Sequence, residues 1–231
     1  MIISHKHKFI FIKPQKTAGT SVELLLSRIC GPENVITPLG FDPDPNVRER
    51  HGAKPPQIYF RPKPFKYWQM CELYWLFLKG KKPNRNYWEH LSAEKINEYV
   101  GDDIWKSYKK ISIVRNPWDH VISQHNWMLK YRFGGVTDDF EHFIREKYVP
   151  LWNIISVNNY VDLDFVIKFE NLEENIEELF SDLKVITNSS LPKTKTKSRK
   201  VAHYSEAYNN ITKNLVEDIN CRLIRKFNYK F

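Results

Sequence analysis

The sequence predicts an α/β fold: a parallel sheet flanked by helices, with an irregular aromatic-rich insert. Three observations predict it. Short apolar runs of β type occur at residues 8–13, 110–115 and 164–169. Each is followed by helical patterning, and strands that alternate with helices pair in parallel because the crossover returns the chain to the same end of the sheet. The chain has 231 residues and is 42% hydrophobic, enough for one large core. We read 1–231 as a single domain, with an insert at about 40–88.

The elements follow in order. Residues 8–13 read as a buried strand, and 20–29 as the helix after it, ended by Gly31-Pro32. Residues 31–66, rich in proline and charge, read as an irregular excursion. An apolar helix is expected over 67–79. Ser92 is an N-cap, with Glu94 in the first turn, for a helix to about Val100. The second strand, 110–115, stops at Asn116-Pro117, and a helix runs over 118–131. Gly134-Gly135 is a turn and 137–147 a further helix. After the third strand, an acidic-faced helix covers 171–183. Residues 189–200 form a basic loop, and one long helix is expected over 204–227.

Composition bounds the function. The net charge of +9 suits an anionic partner, whether nucleotide, acidic glycan, nucleic acid or membrane surface. Three scattered cysteines, Cys30, Cys71 and Cys221, have no C-x-x-C spacing. They give no zinc site or disulfide framework and suit a reducing compartment, so a cytoplasmic location is expected. The short polar start is not a secretory signal, and no segment reaches the roughly 18 apolar residues of a membrane span. No motif for reading DNA or RNA is present, and no nucleic-acid partner is expected.

Two loops carry the chemistry. The first, Lys16-Thr-Ala-Gly-Thr-Ser21, joins a strand directly to a helix N-terminus. Unpaired first-turn amides and the positive end of the helix dipole make such a junction a phosphate cradle. Lys16 adds a charge, and Thr17, Thr20 and Ser21 add hydroxyls around Ala18 and Gly19. It is P-loop-like without being a Walker A loop, because the lysine precedes the single glycine. The second loop places Arg115 at a strand end and Ser123 two turns into the next helix. An arginine fork and a hydroxyl can share one phosphate. Ligands of open α/β sheets sit beyond the carboxyl ends of the strands, so the two loops can serve one doubly anionic ligand.

These loops resemble those of sulfotransferases that use 3′-phosphoadenosine 5′-phosphosulfate (PAPS). Residues 16–21 resemble the loop that binds the 5′-phosphosulfate, and Arg115 with Ser123 resembles the 3′-phosphate motif. Tyr108-Lys-Lys-Ile-Ser-Ile-Val-Arg-Asn-Pro-Trp-Asp119, His90-Leu-Ser-Ala-Glu-Lys-Ile96 and Phe227-Asn-Tyr-Lys-Phe231 are similar to the Golgi-type and bacterial carbohydrate sulfotransferase branch. Gln15 departs from that pattern, and residues 40–88 align with nothing. The resemblance implies sulfuryl transfer from PAPS to a carbohydrate hydroxyl, leaving 3′-phosphoadenosine 5′-phosphate (PAP), with no metal required. It makes Lys16 the group on the leaving phosphate and His90 the general base. Ser198 and Arg199, in the basic stretch 193–200, match a late loop that closes over the 3′-phosphate and adenine.

His51, in the basic segment 48–54, is the rival histidine, and it or Arg50 can instead orient substrate. His120 and His125 read as packing or surface residues. Residues 59–88 carry seven Lys or Arg, Arg85 among them, and one acid, Glu72. Aromatic faces stack on sugars and cations meet sulfates or carboxylates, so an anionic or multi-hydroxyl glycan is the expected acceptor. The alternatives are a P-loop-like nucleotide kinase or NTPase, and a catalytically inactive nucleotide- or polyanion-binding module.

Overall fold

The structure, a computed structural model, describes residues 1–40, 46–59, 87–186, 191–192 and 203–231. The helix expected over 67–79, the basic stretch 193–200, and Arg85, Ser198 and Arg199 lie outside the described residues.

A five-stranded sheet has the order β3-β1-β2-β4-β5. The expected parallel sheet is formed by β2 (Phe9–Ile12), β4 (Lys109–Val114) and β5 (Phe165–Lys168), with Ile12 beside Ser112 and Ile113 beside Ile167. Two strands that the sequence did not announce extend it antiparallel. They are β1 (Ile2–Ser4) and β3 (Val35–Ile36), too short to show a period of their own.

Strand side chains alternate between the two faces. Phe9 and Phe11 pack with Val22, Leu25 and Leu26 of α1 (Gly19–Ser27) and with α8 (Leu172–Asp182). Ile10 and Ile12 pack on the opposite face. There they meet Ala93 and Ile96 of α3 (Ala93–Val100) and Trp105 of α4 (Asp102–Ser107). Ser92 caps α3 as expected, its side chain accepting from the Lys95 amide. The short α2 (Val47–Arg50) lies in the irregular excursion.

Beyond β4, α5 (Pro117–Lys130) begins with Pro117 at its first turn. Trp118 and Val121 of this helix build a further core with α6 (Phe140–Glu146) and α9 (Asn210–Ile219). Trp118 is thus a core residue, with its indole N–H on the Lys213 carbonyl at 3.1 Å. The helix α7 (Leu151–Ile155) was not expected.

The single C-terminal helix expected over 204–227 is three pieces. A 3-10 turn (Tyr204–Ala207) precedes α9, and α10 (Cys221–Phe227) follows it. Two asparagines make the breaks. Asn209 forms a capping box with Thr212, and buried Asn220 turns its amide onto the Val216 carbonyl. Asparagine favours such breaks because its side chain competes for local backbone groups.

Candidate active site

Because β2 and β4 are parallel neighbours, the loops that follow them leave the same end of the sheet side by side. The first loop is held in an unusual way. Four consecutive carbonyls each accept from a side chain. His90 Nδ1 lies 3.0 Å from the Lys13 carbonyl, and Thr17 Oγ1 donates to the Pro14 carbonyl at 3.1 Å. His120 Nε2 lies 3.0 Å from the Gln15 carbonyl, and Arg115 Nη1 donates to the Lys16 carbonyl at 2.5 Å. The next four amides, of Thr17, Ala18, Gly19 and Thr20, take no acceptor among the described residues.

Lys16 and Ala18 both have left-handed backbones, with φ of 58° and 60°. Each costs about 1–2 kcal/mol for a residue with a Cβ. Such bends line up successive N–H groups around an anion. Ala18 is also the N-cap of α1, and it has no side-chain oxygen to close the first turn. The second loop contrasts with it. Asn116 caps α5, accepting from the amides of Trp118 and Asp119, so that helix end is already satisfied. Of the two helix ends, only that of α1 is left open to a ligand.

Each residue singled out in the sequence can now be placed. Thr17 is buried and its hydroxyl is committed to Pro14, leaving its amide for a ligand. Lys16 Nζ lies 5.8 Å from the centre of the Trp127 ring, and Thr20 and Ser21 stand in the first turn of α1. Arg115 is buried, forked onto Asp119 at 2.9 and 2.8 Å, and stacked 4.0 Å from Phe169. It is therefore also a strut between the two loops. Ser123 is half-buried on α5, and its hydroxyl has no partner among the described residues.

The backbone of His51 meets the far end of α1. The Arg28 guanidinium, at the C-terminal end of α1, holds the His51 carbonyl at 2.9 Å. The phosphate loop is at the other end of that nine-residue helix, about 13 Å away along its axis. Adjacency to a basic run could not reveal which end of α1 the segment would meet.

His90, by contrast, sits against the loop. A carbonyl can only accept, so the Nδ1 contact fixes the proton there and leaves the Nε2 lone pair available. Burial pushes the imidazole down to about 4, opposed by Glu89, so it is neutral near pH 7. Glu89 Oε1 lies 3.5 Å from Nε2, placed to pair with the ring once it takes up a proton. His90 and His120 both line a cleft of about 340 Å³ that opens beside Gln15.

His120, expected as a packing or surface residue, packs edge-on to Tyr148 and also reaches the loop. It is almost fully buried, with Nδ1 3.2 Å from the Tyr148 hydroxyl, which in turn lies 3.0 Å from Asn220 Oδ1. Burial, then the nearby Arg115, pushes its pKa down to about 3. His125 does pack, against Phe140 and Phe143.

A buried charge cluster under the loop was also missed. Lys13 Nζ lies 2.9 Å from Glu23 and 2.6 Å from Glu89, and Glu23 receives Arg48 at 2.6 Å. Glu89 also accepts from the Gly40 amide at 2.7 Å. The cluster joins β2, α1, the excursion and the segment carrying His90. It also explains Gly19, where a Cβ would lie 2.7 Å from Lys13 Cγ, a side chain clamped at its far end by two carboxylates. The signal was a lone acid within the apolar run Val22-Glu-Leu-Leu-Leu26, since charges are rarely buried unless paired.

Among the described residues, no three His, Cys, Asp or Glu side chains are gathered as metal ligands. No helix of the described residues is long and apolar enough to cross a membrane.

The parallel strands thus deliver an open strand-loop-helix junction and a buried arginine to one end of the sheet of an α/β protein. A model of the sulfotransferase family matches residues 1–231, so the chain belongs to the sulfotransferase family, whose members transfer sulfuryl groups. A separate similarity is confined to 73 residues, 32% of this chain. These are 34% identical to the voltage-gated delayed rectifier potassium channel KCNH5 of Homo sapiens and of Mus musculus. This chain spans 7% of the length of that channel, too little to carry a shared function. No solved structure matches the chain.

Proposed function

We propose that this protein moves the sulfuryl group of PAPS to a hydroxyl of a carbohydrate. The observation that carries the reading is the loop whose four carbonyls are held by side chains while its next four amides stay unpartnered. Such fixed donors stabilise charge without reorganising as the reaction proceeds.

The amides of residues 17–20 and the side chains of Thr20 and Ser21 hold the 5′-phosphosulfate. Lys16 neutralises the leaving phosphate. Arg115 and Ser123 take the 3′-phosphate, with Ser198 and Arg199 as the proposed closing loop. His90 Nε2 accepts the hydroxyl proton as the new O–S bond forms and the S–O bond to phosphate breaks. Positioning and charge stabilisation supply most of the rate in a transfer of this kind, and no metal has a role in this scheme.

PAP is expected to bind without metal and to raise the melting temperature by mass action. A calorimetric titration of PAP against ATP with Mg²⁺ checks this. An unchanged melt at saturating PAP, in folded protein, would overturn the donor assignment.

Arg115→Ala is expected to weaken both PAP and adenosine 5′-phosphosulfate, because Arg115 also braces the Lys16 carbonyl. The loss should be larger for PAP, about 2–5 kcal/mol, as for a desolvated charge pair. Paired titrations of the two ligands measure the difference. Equal losses would limit Arg115 to bracing.

A further inference from the structure

Resting on that reading, we propose that the cleft beside His90 takes an uncharged sugar ring with two neighbouring hydroxyls, and that Gln124 selects it. Gln124 is 3% exposed on α5 and lines the cleft. Its Oε1 accepts the Val149 amide at 3.0 Å, which fixes the orientation of the carboxamide. Its Nε2 has no acceptor among the described residues. An oriented N–H that opens onto the cleft without a protein acceptor is placed to meet an oxygen of the ligand.

The rest of the wall narrows the ligand. His90 offers a lone pair for one hydroxyl proton, and Gln124 offers N–H to a second oxygen. Trp88 is 50% exposed, and its ring stands at 88° to His90 with centroids 6.0 Å apart. It gives a flat apolar platform beside the base, while Leu91, Val149, Leu151 and Ile154 complete an apolar wall. The cleft, at about 340 Å³, is at the small end of ligand pockets.

Two competitors fit the lining less well, one by charge and one by hydrogen bonding. Among the described residues, the one Lys or Arg of the lining is Lys95, and its Nζ is paired with Glu98 at 2.5 Å. A carboxylated or sulfated ring would bring a charge that meets no free counter-charge among the described residues of the lining, which is costly. A phenol suits the platform and the base but leaves Gln124 unsatisfied. A neutral ring with adjacent hydroxyls meets all three features.

The test measures labelled sulfuryl transfer from PAPS to methyl β-D-galactopyranoside, methyl β-D-glucopyranoside, methyl β-D-glucuronide and phenol. Saturation-transfer NMR of the same compounds is recorded with and without PAP. The neutral hexosides are expected to be the better acceptors. Gln124→Leu should raise their KM about tenfold, the worth of one hydrogen bond, with PAP affinity unchanged. Trp88→Ala, at an exposed position, should weaken hexoside contact in the same way and serves if Gln124→Leu does not fold. A preference for the glucuronide or phenol overturns the inference. So does an unaltered hexoside KM in the folded Gln124 variant, or an absence of hexoside contact by NMR. Failure of PAP itself to bind overturns the sulfuryl-transfer reading instead, and hexoside contact with the cleft still decides the inference separately.

Discussion

Changing His90 to asparagine is expected to lower sulfuryl transfer by roughly 10²–10⁴-fold, the usual worth of a general base. PAP affinity should be nearly unchanged. The choice of asparagine follows from geometry. Its amide nitrogen occupies the place of Nδ1 and can still donate to the Lys13 carbonyl, while the basic Nε2 is gone. A loss of turnover with intact PAP binding separates proton transfer from support of the loop. The pH profile gives a second readout. Burial lowers the His90 pKa from 6.5 to about 4, so the free base persists well below neutrality. The acid limb of kcat/KM in the wild type is therefore expected below pH 6.5, and the asparagine variant should lack it. Near-normal turnover in His90→Asn would remove His90 from the base role.

Glu23→Ala is expected to destabilise the fold by about 3–5 kcal/mol, the cost of leaving buried charges unpaired. The melting temperature of a domain this size should fall by about 10 °C. Glu23 is fully buried and faces both Lys13 and Arg48, so its removal leaves Arg48 without its carboxylate and Lys13 with Glu89 alone. The effect should reach function as well, because Lys13 underlies Gly19 and begins the run of braced carbonyls.

The pH dependence has a definite sign. Burial alone would raise the Glu23 carboxyl, but Lys13, the Met1 nitrogen and Arg48 outweigh it and hold it at about 2. A depressed carboxylate contributes stability above its unfolded pKa of 4.5 and loses it as pH falls toward 2. His120 acts in the same direction. Its imidazole is neutral in the fold down to about pH 3, so the unfolded chain binds more protons between pH 6.5 and 3, and stability falls on acidification. Urea unfolding at pH 7, 5.5 and 4 should show a steadily lower midpoint. Glu23→Ala should lose the part of that decline below 4.5. A Glu23→Ala protein that melts with the wild type would refute the ion cluster as a structural element.

The sequence by itself determined the α/β class, the three parallel strands and the helices that directly follow them. It also located the two loops that leave the same end of the sheet, one beginning at Lys16 and the other at Arg115. These were legible because local signals set them: apolar runs, an N-cap serine, a proline at a helix start, a small-residue loop between strand and helix. The resemblance carried by those loops agrees with the sulfotransferase family to which the chain belongs.

Only the tertiary structure decided the rest. That β2 and β4 are neighbours is a long-range pairing, and it turns Arg115 into a brace for the Lys16 carbonyl. That His120 grips Gln15, and that Lys13, Glu23, Arg48 and Glu89 share one buried cluster, depends on contacts between residues up to 105 positions apart. His90 was the candidate base in the sequence and His51 its rival. The fold holds the His51 carbonyl at the far end of α1 and the His90 ring against the Lys13 carbonyl. Short strands and the asparagine breaks of the C-terminal helices were illegible for a related reason. Two or three residues carry no period, and what holds them in place is the packing of the sheet and the helices around them.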